Sequence, residues 1–401
     1  MLLGGSRADL NMRSQRLVLS VLLVSAGLLA VSCGSGSEGP ALVCREPVAP
    51  VGEWKHVPIL EDFYESDPFV LSANSLFQLR RGVSPAIAEV DLDALTWITT
   101  ETTSSVEIVD DVVNASDDYF FNPGILSRQG DGVFQLGGPS AILKRGTSEW
   151  TVVDKPASFV PRSAQSFSTG RAFGIWGGAV RVVPSDALGV EPDTEMAFLY
   201  EGLLLDPETL EWTEIPPARE PGHYLWADGG PSPASLWTEA GLFVWGMTPD
   251  RRGNWGAIFD VDTMAWRELE VDNVLPPLRI EAKLLTVGSS VYLYGGMTPS
   301  GEPSRRLFRY ALSEDVWTEL EVPAWADPSH GAVVDEKLVF LGRCASGARF
   351  DPRKGSWDEL AWRGRPPSLG KLWGVDGFLT VQYVHFGHQL GNEVWFLDLR
   401  E

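Results

Sequence analysis

A pair of residues seven positions apart recurs along this chain and constrains its fold more than any other feature. The first residue is aliphatic or aromatic and the second is always tryptophan, as in Val90 and Trp97, Leu143 and Trp150, Leu205 and Trp212, Phe259 and Trp266, Tyr310 and Trp317, and Phe350 and Trp357. Aspartate directly follows the first residue in several pairs, at Asp91, Asp206, Asp260 and Asp351. Because aspartate favours turns, the spacing predicts a strand, a tight turn and a second strand that begins near tryptophan.

Apolar runs that end in glycine lie upstream of most of these turns. Clear examples are residues 133–138, 173–178 and 291–296, and weaker copies are residues 243–246 and 339–342. The glycine pair, the turn aspartate and the tryptophan together resemble the kelch repeat, whose family forms β-propellers of four-stranded blades. The resemblance covers nearly all of residues 48–401. It departs from the family pattern in the first repeat, which ends near Trp97 and has Arg80 and Arg81 at the glycine positions. It also departs in the seventh repeat, near the end of the chain, which lacks the glycine pair.

The two ends of the chain supply one further blade. Residues 378–383 and 393–399 predict a second and a third strand, but no tryptophan strand follows them. Residues 53–57 hold a tryptophan strand that no blade precedes. Since an open ring would leave unpaired strand edges, we expect these segments to share a blade. The predicted fold is an all-β, seven-bladed kelch-like β-propeller over residues 48–401, closed by N- and C-terminal strands that share the last blade.

The N-terminus is typical of an exported protein. Arg13 and Arg16 precede the apolar residues 17–31, a run too short to cross a bilayer comfortably. Residues 29–33 resemble the lipobox of bacterial lipoproteins, which implies a signal peptide over 1–32, lipid on Cys33 and a flexible tether over 33–47. Gly34 then favours a lipid-anchored protein of the outer membrane in a bacterial cell envelope. An ordinary cleaved signal with a soluble product is the alternative. Cys44 and Cys344 could form a disulfide or remain two thiols.

Charge and motifs exclude several function classes. With 32 basic against 54 acidic residues, the chain lacks the cationic surface that a nucleic-acid partner requires. His385 and His388 lie three positions apart, but a metal site needs three or four ligands. The sequence contains neither a nucleophile-elbow motif nor a phosphate-binding loop. We therefore predict no catalytic residue, no metal and no cofactor.

The long connections of the predicted blades share one side of the fold. Turns between first and second strands and between third and fourth strands are short, whereas the long segments are residues 101–122, 179–195, 216–231, 297–304 and 384–392. Insertions accumulate where loops bind partners, so this loop-rich face is the predicted working face. Length variation without a partner is the alternative.

Aromatic, histidine and arginine residues in three of these segments, and in a further connection at residues 251–255, are the predicted binding set. They are Tyr119, Phe120, His223, Tyr224, Trp226, Arg251, Arg252, Trp255, His385 and His388. We predict a non-catalytic module that binds a protein or a carbohydrate at the cell envelope, although each ring could instead pack beneath its loop. The other functional class is a periplasmic sugar enzyme resembling sialic-acid mutarotases, with His330 and Lys371 near the ring axis.

Overall fold

The computed structural model describes part of the chain. The described residues are 52–58, 69–72, 75–80, 84–105, 114–124, 126–128, 134–136, 139–156, 164–181, 195–219, 222–225, 234–248, 253–270, 276–298, 300–341, 346–363, 371–384 and 392–400. The predicted signal, tether and lipidated Cys33 lie outside them, as do Cys44 and Cys344, and these assignments stay predictions. Within the described residues, no helix is long and apolar enough to cross a membrane.

The described part of the chain is all-β and is dominated by four-stranded antiparallel sheets. The first described strand is β1 (Gly52–Pro58), which belongs to the sheet described last, sheet 7. Sheet 1 contains β2 (Phe69–Ser72), β3 (Ser75–Arg80), β4 (Ala86–Asp91) and β5 (Thr96–Glu101). Sheet 2 contains β6 (Asn114–Ala115), β7 (Tyr119–Asn122), β10 (Ser140–Lys144) and β11 (Thr151–Val153), with a hairpin of β8 (Leu126–Arg128) and β9 (Phe134–Leu136) inserted between β7 and β10.

Sheet 3 contains β12 (Gln165–Ser168), β13 (Phe173–Trp176), β16 (Gly202–Leu205) and β17 (Trp212–Ile215). An accessory sheet is formed by β14 (Ala179–Arg181), β15 (Glu195–Phe198) and β18 (Gly222–Leu225). Sheet 4 contains β19 (Ala234–Thr238), β20 (Gly241–Met247), β21 (Asn254–Asp260) and β22 (Ala265–Glu268), and sheet 5 contains β23 (Lys283–Val287), β24 (Ser290–Tyr294), β25 (Leu307–Ala311) and β26 (Val316–Leu320).

Sheets 6 and 7 are the two antiparallel halves of one eight-stranded sheet. Sheet 6 contains β27 (His330–Val334), β28 (Lys337–Leu341), β29 (Ser346–Asp351) and β30 (Ser356–Arg363). Sheet 7 contains β31 (Lys371–Val375), β32 (Phe378–Val384), β33 (Asn392–Asp398) and β1. A short parallel contact between β30 and β1 joins the halves, while β1 pairs antiparallel with β33. The first and last described strands are therefore neighbours in one sheet.

The seven-residue spacing corresponds to the register of the third and fourth strands. Val90 pairs with Trp97, and the same pairing joins Leu205 to Trp212, Phe259 to Trp266, Tyr310 to Trp317 and Phe350 to Trp357. In sheet 7, Trp54 pairs with Leu397, from the other end of the chain. Asp398 follows Leu397 as Asp91 follows Val90, so the same apolar, aspartate and tryptophan pattern is assembled from the two ends.

The aspartates hold the turns through their backbone neighbours, as predicted from their fixed position. The Asp260 carboxylate accepts the N–H groups of Asp262 and Thr263 at 2.9 and 3.3 Å, and these bonds lower its pKa. Four residues after Asp260, Met264 has a φ of 52°, the left-handed conformation that closes the turn. The turn aspartates are thus occupied by backbone hydrogen bonds, which is a structural role.

A buried apolar cluster lies between each pair of neighbouring sheets. The cluster between sheets 1 and 2 includes Phe77 and Leu143, and corresponding clusters join sheets 2 and 3, 3 and 4, 4 and 5, 5 and 6, 6 and 7, and finally 7 and 1. Repeat tryptophans fasten these interfaces: the Trp266 indole donates to the Pro216 carbonyl, which follows the last strand of the preceding sheet, at 2.7 Å. Trp212 and Trp357 bond in the same way to Asp154 and Glu321.

Candidate functional site

The loop-rich face carries ordered structure of its own. The accessory sheet takes β14 and β15 from the connection between the second and third strands of sheet 3, and β18 from the connection that leads to sheet 4. In this sheet Ala197 pairs with His223 and Met196 pairs with Tyr224. Two of the predicted binding residues, His223 and Tyr224, therefore lie on one strand of a sheet that two long connections form together.

Tyr119 and Phe120 do not lie in a loop, and that prediction is wrong. Both belong to β7, the second strand of sheet 2, and they are 8% and 5% exposed. The Tyr119 hydroxyl donates to a Glu208 carboxylate oxygen at 2.6 Å, and this bond raises the tyrosine pKa. Phe120 packs edge-on against Phe77, with ring centroids 4.9 Å apart. Here the two rings contribute to the interfaces between sheets.

Trp255 is also buried, as the second residue of β21. Its side chain is 6% exposed and lies in the cluster between sheets 3 and 4. The indole donates to a Glu268 oxygen at 3.2 Å, and the ring meets Tyr200 edge-on at 5.3 Å. The Arg219 guanidinium lies 5.4 Å from its centre. Trp255 thus packs between sheets 3 and 4 and does not lie in the connection that it was expected to mark.

The remaining predicted residues are not brought together by the described structure. Trp226, Arg251, Arg252, His385 and His388 lie outside the described residues, so their grouping with β18 stays a prediction.

The first strands of sheets 5, 6 and 7 begin with basic residues that the sequence analysis only partly identified. His330 and Lys371 are the first residues of β27 and β31, two strands that contact each other. Lys283 begins β23 at the matched position, four residues before the first hairpin turn, although the sequence analysis missed it. Surrounding protein lowers the pKa of the Lys283 ammonium group, while solvent still reaches the side chain. The position of a residue relative to the first turn is the signal that could have found Lys283.

These groups offer no metal-binding arrangement in the described part of the chain. No group of three or more histidine, cysteine, aspartate or glutamate side chains there could hold an ion. His330 Nδ1 lies 3.2 Å from the Ser329 hydroxyl, which makes a local contact.

Clefts lie between neighbouring sheets and extend to their tight turns. The cleft between sheets 1 and 2 has a volume of about 550 Å³, and the matched clefts between sheets 2 and 3 and between sheets 6 and 7 have about 390 and 160 Å³. The first is lined by Ile98, Glu89 and Arg145 together with Phe77 and Phe120. This cleft was not predicted from the sequence, because binding residues were sought only in the connections between strands.

Comparison with known proteins gives one distant similarity. No family model matches the chain. Kelch domain-containing protein 2 of Bos taurus is 26% identical over 180 residues, which is 42% of this chain and 42% of that protein. The chain therefore matches less than half of the length of this relative. This similarity and the many four-stranded antiparallel sheets fit a kelch-repeat β-propeller.

Proposed function

We propose that this chain is a non-catalytic binding propeller of a bacterial cell envelope, anchored by lipid on Cys33, which binds a protein through its loop-rich face. The observation that carries the proposal is the accessory sheet, which two connections of the loop-rich face form together. The turns at the other end of the sheets stay short and repetitive. Elaboration confined to one end is what a binding surface on a repeat scaffold requires.

The proposed architecture is a ring of seven blades, one for each of sheets 1 to 7. It is supported by the contacts of the first strands, which follow one another from β2 through β6, β12, β19, β23 and β27 to β31. Between the last and the first sheet, the rings of Trp373 and Phe69 lie 5.8 Å apart. The pairing of β1 with β33 supports closure by both termini.

Paired charge-removing variants test which end of the sheets binds. Arg251→Ala with Arg252→Ala removes two cations from a loop-rich connection. Arg353→Ala with Lys354→Ala removes two cations from a tight turn, where their side chains are 77% and 75% exposed. In a pull-down from intact membranes, the first double variant should lose partners that the second retains. If both double variants capture the same partners, Arg251 and Arg252 do not belong to the binding surface.

Anchoring is tested separately from binding. Cys33→Ala should leave unprocessed precursor or release the protein from membranes, because the thiol is the proposed lipid attachment point. Unchanged processing and membrane retention would contradict the lipid anchor and leave the binding proposal standing.

A carbohydrate is the second candidate ligand of the same face. Flat aromatic rings cover the apolar faces of sugars, and Tyr224 lies on β18 of the accessory sheet. Titration with glycans and cell-wall fragments, followed by tryptophan fluorescence, distinguishes the two. A glycan that saturates the signal, and loses affinity in Tyr224→Ala, would replace the protein partner.

The sugar-enzyme alternative has its own supporting observation. Lys283, His330 and Lys371 occupy matched positions on the inner strands of three consecutive sheets. Such a set would supply a base and two cations to a free sugar at the centre of the proposed ring. An assay for sugar anomerisation decides: a rate above background that Lys283→Met and His330→Gln abolish would establish catalysis.

A further inference from the structure

At the interface between sheets 1 and 2, three residues differ in type from those at the equivalent positions of the other sheets. Because the sheets repeat, equivalent positions can be compared across all seven of them. Three positions matter here: the residue before the apolar residue of each apolar–tryptophan pair, the residue after the tryptophan, and the second residue of the turn between them. All three departures, Glu89, Ile98 and Arg145, line the same 550 Å³ cleft.

Ile98 is the first departure. It follows Trp97, and its side chain is 59% exposed. The matched residue in each of the other six sheets is polar: Lys55, Thr151, Thr213, Arg267, Thr318 or Asp358. Ile98 is thus the one aliphatic residue at this matched position, and the described residues leave more than half of its side chain exposed.

Glu89 is the second departure and the direct strand partner of Ile98. At the matched position the other sheets carry apolar residues or arginine, namely Ile142, Leu204, Ile258, Phe396, Arg309 and Arg349. The usual order is therefore inverted in sheet 1: the apolar residue lies outside and an acid lies one strand inward.

Arg145 is the third departure, and it comes from sheet 2. The matched turn position is apolar in every other sheet, at Leu92, Pro207, Val261, Leu312, Pro352 and Leu399. Leu312 and Leu399 pack into the cluster with the preceding sheet, and Arg145 takes their place. Its guanidinium lies 4.6 and 5.1 Å from the centres of the Phe77 and Phe120 rings, while Nε and Nη2 have no hydrogen-bond partner in the described residues.

The lining of the cleft therefore combines an apolar wall with charges of both signs. Ile87, Ile98 and Phe77 form the wall, Arg145 supplies one cation, and Glu89 and Glu149 supply two carboxylates. The carboxylates outnumber the cation, and the whole chain has 54 acidic against 32 basic residues. A volume of 550 Å³ is in the range of small-ligand pockets and suits one or two side chains.

We propose that this cleft docks a segment of a partner protein in which an aliphatic side chain stands next to a basic one. The aliphatic group covers Ile98 and Ile87, and the basic group pairs with Glu89 and Glu149. The charge of the lining selects the basic residue, and the exposed Ile98 selects the aliphatic one. The proposal does not depend on binding through the accessory sheet.

Methyl NMR of protein labelled at isoleucine tests the proposal, since it detects weak binding at named positions. The probe is a glycine hexapeptide with adjacent leucine and lysine at its centre. Its titration should shift the methyl signals of Ile98 and Ile87, and leave those of the buried Ile175 and Ile258 unchanged. Replacing the lysine of the peptide by glutamate, or its leucine by serine, should weaken binding about tenfold or more.

Two variants and one matched control complete the experiment. Ile98→Thr installs the residue of other sheets and should abolish the response at Ile87, while Glu89→Gln should remove the preference for lysine over glutamate. Thr213→Ala changes the equivalent exposed position in sheet 3 and should leave binding intact. The proposal is overturned if the leucine–lysine peptide leaves Ile98 unshifted, if the glutamate peptide binds equally well, or if N-acetyl-leucine shifts Ile98 where the peptide does not.

Discussion

The two ends of the sheets follow different rules. At the tight-turn end, the third and fourth strands are joined by hairpins in which an aspartate, a left-handed residue and a tryptophan recur in the same register, as at Asp260, Met264 and Trp266. At the loop-rich end, connections range from short links to the accessory sheet of β14, β15 and β18. The regular end stabilises the array, whereas the connections at the other end vary in length and structure. Substitutions at the tight-turn end should therefore lower stability, and substitutions at the loop-rich end should affect partner binding.

Removal of residues 48–60 should have the largest effect on stability. This deletion takes away β1, exposes the edge of β33 and removes the buried side chains of Trp54 and Val57. We expect the melting temperature to fall further than in any single-residue variant. A truncated protein that unfolds at the wild-type temperature would show that β1 contributes nothing to the fold.

Loss of one repeat tryptophan should come next. Trp266 packs with Trp176 and Phe259 at ring distances of 5.7 and 5.2 Å and bonds to the Pro216 carbonyl. Trp266 is partly buried, so Trp266→Ala should lower the free energy of unfolding by somewhat less than the roughly 3–5 kcal/mol of a fully buried tryptophan. Denaturant titration measures it, and Trp266→Phe, which keeps a ring but loses the indole donor, should cost clearly less.

The turn aspartate should show a smaller effect that depends on pH. The folded pKa of Asp260 lies below its ordinary value of 3.8, because the N–H of Asp262 bonds to the carboxylate. The charged form therefore stabilises the fold at neutral pH, and this contribution is lost as the pH falls through the folded pKa. Wild type should exceed Asp260→Asn in stability at pH 7, and the difference should vanish in acid. A difference that is constant from pH 7 to pH 2 would contradict this origin.

Substitutions in the loop-rich connections should have the smallest effect on stability. Arg251→Ala with Arg252→Ala should leave the melting temperature within about 1 °C of wild type, because single surface changes are usually close to neutral. The same protein should lose partner binding. A large fall in melting temperature would show that these arginines stabilise the fold, which would contradict their assignment to the binding surface.

The tight-turn end was predictable from sequence because its geometry depends on local spacing. Seven positions from Phe259 to Trp266 correspond to one strand pair around one turn, and the structure has that register. The all-β class and the many small sheets follow from it. The pairing of the Trp54 strand with the last strand was also predictable. The sequence shows no blade before Trp54 and no tryptophan strand after Leu397, and the structure pairs these two residues.

The second strand of sheet 2 was not predictable from the same pattern. The glycine pair at residues 137–138 suggested that the preceding apolar run was this strand, but Phe134–Leu136 forms β9, which pairs with β8. The true second strand, β7, ends at Asn122, and Gly124 supplies the positive φ of 61° after it. In sheet 5, Gly296 has φ 74° and a Cβ there would lie 2.6 Å from the Ile280 carbonyl oxygen. After β7 a single glycine supplies this conformation, so a glycine pair is not required there.

The binding set was harder to predict because exposure depends on neighbours that are distant in sequence. Phe120 and Trp255 have the composition of a binding platform, yet Phe77 covers the one and Tyr200 the other. Ile98 was overlooked since one aliphatic residue in a strand carries no signal until the repeats are aligned.

Hydrogen–deuterium exchange of the intact protein tests the closed array most directly. The outer strands β22 and β26 serve as references, because β1 occupies the same fourth position in sheet 7. If the two ends of the chain close the ring, peptides covering residues 52–58 should exchange as slowly as peptides covering β22 and β26. Exchange of residues 52–58 within seconds, with β22 and β26 still protected, would contradict the closed seven-blade array.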